Sequence, residues 1–73
     1  MKTLDTIKPG QSVLVTKLGG EGAVRRRIMD MGLTKGTKVL VERMAPLGDP
    51  MELKLRGYSL IIRKADAGLI QVI

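Results

Sequence analysis

Few residues of this chain could carry out covalent chemistry. Ser12 and Ser59 are the only serines, and a serine nucleophile usually takes its base from an imidazole that a chain with no His does not have. The chain has no Cys either, so thiolate nucleophiles, disulfides and thiolate zinc sites are all excluded. A metal centre would have to be built from Asp5, Glu21, Asp30, Glu42, Asp49, Glu52 and Asp66 alone. These stand singly among cations, no spacing resembles an EF-hand loop, and the transition metals favour His or Cys. The expectation is no catalysis, no cofactor and no metal site.

Two motifs remain that could bind. Gly19-Gly20-Glu21-Gly22 opens a helical stretch and so invites a phosphate reading, since backbone N–H groups at a helix start attract anions. No Gly-Lys-Ser/Thr follows, and Arg25 stands where a dinucleotide fingerprint needs its third glycine. It reads as a strand-to-helix turn. Arg25-Arg26-Arg27 is the densest charge cluster, but at about 100° per residue the three guanidinium groups fan out and at most two share a face. Three roles stay open: a solvated helix surface, docking on an acidic protein face, or an arginine finger for a nucleotide hydrolase, with docking ahead of the finger.

A third segment, Ala45-Pro46-Leu47-Gly48-Asp49-Pro50, reads as a fixed, protruding turn. Asp49 is expected to hold local backbone there, and Leu47 to sit at the tip, where either a rigid loop or a binding loop would place it.

The elements that carry these groups must fit into 73 residues. That length makes one domain, spanning 1–73, and a domain so small buries only about 60% of its unfolded surface, which argues against a deep catalytic cleft. Met1-Lys2-Thr3-Leu4-Asp5 lacks a secretory apolar region, and no apolar run nears the roughly 18 residues of a membrane span. The chain is expected to be soluble and cytoplasmic. With 13 Lys and Arg against 7 Asp and Glu, its formal charge of +6 points to an anionic partner. Tyr58 is the one aromatic residue, too few for the stacking platforms that hold single-stranded nucleic acid.

Glycines and prolines cut the chain into short apolar runs: Ser12 to Leu18, Thr37 to Met44, Met51 to Arg56, Tyr58 to Arg63 and Leu69 to Ile73. In the third, Met51, Leu53 and Leu55 alternate with Glu52, Lys54 and Arg56, the pattern of a half-wet strand. Gly22 to Met31 has another period: Val24, Ile28 and Met31 recur at helical spacing, and Gly32 follows as a cap. About ten residues do not hold a helix in water unaided, so this one must dock on the sheet.

The expected fold is mainly β, a small SH3-like antiparallel barrel of about five strands with one short α-helix inserted after the first long strand. Val13, Val15, Val39, Val41, Met51, Leu53, Leu55, Leu60, Ile62, Ile70 and Val72 form its inner row, and the helix plugs one end. Leu40, Met44, Leu47, Ile61, Leu69 and Ile73 are left on outer or loop positions, where several together would mark a partner site.

Three stretches together resemble the FeoA family, small cytosolic components of bacterial ferrous iron transport. One is Arg27-Ile28-Met29-Asp30-Met31-Gly32-Leu33 with Gly36, Val39 and Val41 after it, and another is the Ala45 to Pro50 turn. The last is Gly57-Tyr58 with Leu60, Arg63, Asp66, Ala67, Ile70 and Val72. The resemblance implies an SH3-like barrel and association with FeoB, the membrane protein that carries a G-protein-like GTPase domain and the Fe(II) permease. It further implies an accessory role in iron uptake with no small-molecule substrate, and membrane proximity only through the partner. It leaves open whether such a protein modulates GTP hydrolysis or organises the transporter, and whether it self-associates.

The lack of His and Cys agrees with a component that does not hold the iron. The partner surface is expected on the helix and adjoining loop, at Arg25, Arg26, Met29, Asp30 and Leu33, with Ile28 supporting it from beneath. The turn carrying Leu47, Asp49 and Pro50 is a second candidate. Two rivals stand beside this reading. One is a basic SH3-like module that binds RNA or DNA. The other is a free-standing FeoA-like regulatory domain of the kind that ends iron-dependent repressors, here without a helix-turn-helix.

Overall fold

A computed structural model of the chain describes residues 2–73, so position 1 of the expected domain lies outside it. Each alternating run becomes a strand within a residue of its expected bounds. After a short β1 (Lys2–Thr3) come β2 (Ser12–Leu18), β3 (Lys38–Met44), β4 (Met51–Leu55), β5 (Tyr58–Ile62) and β6 (Ile70–Val72). They form one six-stranded sheet in the order β1-β6-β2-β3-β4-β5, antiparallel throughout. Six strands, not five, result because Lys2–Thr3 adds to the edge of β6.

Two register shifts curl the sheet, one between Val15 and Lys17 where β2 meets β6, the other between Val41 and Arg43 where β3 meets β4. An extra residue in one strand bends it and sharpens its twist. The β4–β5 hairpin closes through Arg56 and Gly57 at φ 49° and 82°. Two residues at positive φ are the mark of the turn whose twist matches its flanking strands, so Arg56, the expected last residue of the third run, belongs to the turn.

Met51, Leu53 and Leu55 are buried while Lys54 is exposed, as the alternation of β4 requires. The inner row holds except at Leu60, which faces the same side as its partner Leu53 but is only half-buried on the edge strand β5. Leu4 and Ile7 also enter the core, from a 3-10 turn (Leu4–Thr6) that follows β1. A second short helix, α2 (Lys64–Ala67), brings in Ala67.

The longer helix, α1 (Gly22–Asp30), turns Ile28 fully inward, with Val24 and Met31 packed on the core beside it. Gly32 follows at φ 95°. The Tyr58 hydroxyl donates to the Met31 carbonyl at 2.6 Å, which pins the end of α1 to β5.

Candidate functional site

Burying Ile28 leaves Arg25, Arg26, Met29 and Asp30 on the outward face of α1, all exposed. Arg27 points sideways to α2, where its Nη2 donates to both carboxylate oxygens of Asp66 at 3.0 and 3.1 Å. One ion pair therefore takes the third arginine out of the outward cluster. Among the described residues the other ion pair joins Arg43 to Glu52, on β3 and β4.

The outward face of α1 borders two adjoining clefts. The larger, about 560 Å³, lies between α1, the end of β2 and the loop before β3, and is lined by Thr16, Lys17, Leu18, Arg25, Met29, Thr34 and Lys35. The smaller, about 330 Å³, runs over Gly22, Arg25, Arg26, Met29 and Asp30. Arg25 and Met29 border both.

The loop wall is held from inside the barrel. Thr37, 4% exposed, donates to the Gly32 carbonyl at 3.3 Å, shares a hydrogen bond with the Thr34 hydroxyl at 3.2 Å and accepts one from Arg56 Nη2 at 3.1 Å. Backbone bonds from Gly36 N–H to the Val15 carbonyl and from Val15 N–H to the Thr37 carbonyl fix the same loop to β2. Thr34 and Lys35 are thereby presented across the cleft from Met29.

Sequence reasoning placed Arg25, Arg26, Met29 and Asp30 together with Ile28 beneath them, and the structure does the same. Leu33 is a correction. It is fully buried, because the left-handed turn at Gly32 sends the chain back over the barrel and drives the Leu33 side chain into the core.

The larger cleft beside this face is also lined by residues that sequence reasoning did not place there: Thr16, Lys17, Leu18, Thr34 and Lys35. Alternation continued from Val13 and Val15 would turn Lys17 inward and Leu18 outward. The register shift after Val15 reverses that phase, so Leu18 is buried and Lys17 exposed. A shift of this kind has no signal in residue types.

The second candidate is separate. Leu47 stands out of its turn 95% exposed, at φ 69°, and Pro50 and Asp49 are exposed beside it. Asp49 does not bind local backbone as expected. Its Oδ1 accepts from the Lys64 N–H at 3.0 Å, so it caps the start of α2 from a distant loop. Of the apolar residues left over by the inner row, Leu47, Ile61 and Ile73 are exposed and Leu40, Met44 and Leu69 half-buried. Met44 and Ile61 border one cleft and Ile73 another.

No group of three or more carboxylates that could hold a metal ion occurs among the described residues. No helix among them is long and apolar enough to cross a membrane.

A family model described as the FeoA domain matches residues 2–73. A relative in Porphyromonas gingivalis, an Fe(2+) transport protein A/Fe(2+) transporter FeoB fusion protein, is 32% identical over 69 residues. The match takes in 94% of this chain, which spans only 8% of that protein's length. Among solved structures, the FeoA-like protein of Clostridium acetobutylicum superimposes with a TM-score of 0.90 at 45% identity, covering 97% of this chain and 83% of that one. The zinc-complexed FeoA of Stenotrophomonas maltophilia, described as a prokaryotic SH3 domain protein, superimposes at 0.87, with all of this chain and 91% of that one covered. At 22% identity it speaks for the fold alone, and that fold is the SH3-like barrel. Matched by the family model from Lys2 to its last residue, with the six-stranded barrel and docked helix just described, this chain belongs to the FeoA family.

Proposed function

We propose that this chain is a non-catalytic accessory protein of ferrous iron uptake that docks on the cytosolic, G-protein-like domain of FeoB through the outward face of α1. The observation that supports this most is the relative in which FeoA and FeoB are a single fused chain. Fusion keeps two modules at high effective concentration, an arrangement useful to proteins that act in contact. In this reading Arg25, Arg26, Met29 and Asp30 touch the partner and Ile28 sets their position from the core. The Leu47 turn supplies a second contact, and the protein works on the cytoplasmic side of the membrane.

A pull-down with the FeoB cytosolic domain tests the assignment. Arg25→Glu combined with Met29→Glu should abolish capture while the circular dichroism spectrum stays that of the parent. Unchanged capture by the folded double variant would place the partner elsewhere. GTP hydrolysis by the FeoB G-domain, with and without the protein, separates modulation from mere assembly.

The charge of +6 favours one rival, a barrel that binds RNA or duplex DNA. Phosphate-driven binding falls steeply between about 50 and 200 mM salt, so absent or salt-insensitive binding to tRNA and duplex DNA removes it.

A further inference from the structure

The two clefts beside α1 have an unbalanced rim. Lys17, Arg25, Arg26 and Lys35 border them against one carboxylate, Asp30, and none of these four cations is in an ion pair among the described residues. The larger cleft has no acidic lining residue, and its apolar lining is Leu18 and Met29. Arg25 and Arg26 lie in the middle of α1, and the carboxylate at its N-cap, Glu21, makes no side-chain capping bond and lines neither cleft.

Building on the docking reading above, we propose that the larger cleft takes an acidic protein segment that lays one apolar side chain on Leu18 and Met29 and its carboxylates on Lys17, Arg25 and Lys35. The charge fixes the sign of the occupant and the apolar lining fixes its class. A nucleic acid strand would need rings to stack on, and Tyr58, the single aromatic, is bonded to the Met31 carbonyl and lines neither cleft. A small inorganic anion would leave the apolar lining unused. The volume of about 560 Å³ lies within the range of about 300–1,000 Å³ typical of ligand pockets, enough for an anchoring side chain with its flanking backbone. Met29 suits an anchor site because its thioether stem re-packs around different apolar partners.

Fluorescence anisotropy with three labelled heptapeptides tests the chemistry: Asp-Glu-Leu-Glu-Asp-Leu-Asp, its amide counterpart Asn-Gln-Leu-Gln-Asn-Leu-Asn, and Asp-Glu-Ser-Glu-Asp-Ser-Asp. The first should bind at least about tenfold more tightly than either of the others, since each removes one of the two required features. Lys17→Glu with Lys35→Glu should weaken it by about tenfold or more, whereas Lys54→Glu, on the exposed face of β4, should change it by less than about twofold. Met29→Ser should bring the leucine peptide down to the affinity of the serine peptide. The proposal is overturned by no saturable binding below about 1 mM, by equal affinity for the serine peptide, by indifference to the double reversal, or by tRNA displacing the peptide. The FeoB pull-down keeps the two proposals apart. If the parent captures the FeoB domain and the folded Lys17→Glu/Lys35→Glu variant captures it equally, the cleft is wrong and docking stands. If the leucine peptide binds as stated but the parent captures no FeoB domain, the cleft stands and the partner is another acidic protein.

Discussion

Gly32 shows how much one position of this chain has to satisfy. Its φ of 95° is left-handed, and a Cβ placed there would run into the Tyr58 hydroxyl. That hydroxyl is the one bonded to Met31, so the glycine both ends α1 and makes room for the bond that anchors it. Gly32→Ala should therefore lose about 1–2 kcal/mol to backbone strain and about 0.5–1.5 kcal/mol more from the displaced hydrogen bond. The two costs separate in a double-mutant cycle followed by urea denaturation. In a Tyr58→Phe background the clash is gone, and Gly32→Ala should cost only the strain. An equal cost in both backgrounds would mean that Tyr58 is no obstacle. The helical spacing and the cap at Gly32 were readable from Val24, Ile28, Met31 and the glycine itself. The burial of Leu33 was not, because it follows a left-handed turn where neither period applies, and an apolar residue beside a cationic helix suits core and interface alike.

At the level of elements, strands are legible where they are long enough to alternate. β2 to β6 were readable within a residue, but β1 has two residues and α2 four, too few to display any period. Bulges were hidden for a different reason: they arise from a mismatch between neighbouring strands, which a single strand's sequence does not contain. The Lys17 side of the candidate site went unread on this account, although its helix side was plain. α2 also depends on a distant residue, since Asp49 binds the N–H of Lys64 and no residue adjacent to the helix caps it. Asp49→Ala should lower stability by about 1 kcal/mol, the ordinary cost of a lost cap, while Asp49→Asn keeps an acceptor and most of that stability. Urea midpoints of the two variants decide it, and equal losses would show that the side-chain oxygen does not matter. The Arg27–Asp66 pair that ties α2 to α1 is a weaker strap. With the arginine side chain 59% exposed, it contributes at most about 1 kcal/mol.

For the whole molecule the controlling quantity is the charge of +6 on a body with a radius of gyration of only 10.8 Å. The Debye length is about 30 Å at 0.01 M salt and about 10 Å at 0.1 M. At the lower salt every cation feels every other; at the higher one only neighbours repel. Self-repulsion of a compact cation opposes folding, and two exposed ion pairs among the described residues do little to offset it. The same screening acts on a complex in the opposite direction, because attraction between the cationic rim and an acidic partner falls as salt rises. Between about 0.01 and 0.3 M NaCl the free protein should therefore gain stability, read as a rising urea midpoint, while its affinity for an acidic partner drops over the same range. A barrel held mainly by its ion pairs would instead lose stability with salt, and a partner bound only through apolar contact would be indifferent to it. Opposite salt trends in the two measurements, reduced together by Lys17→Glu with Lys35→Glu, would trace both to the cationic rim beside α1.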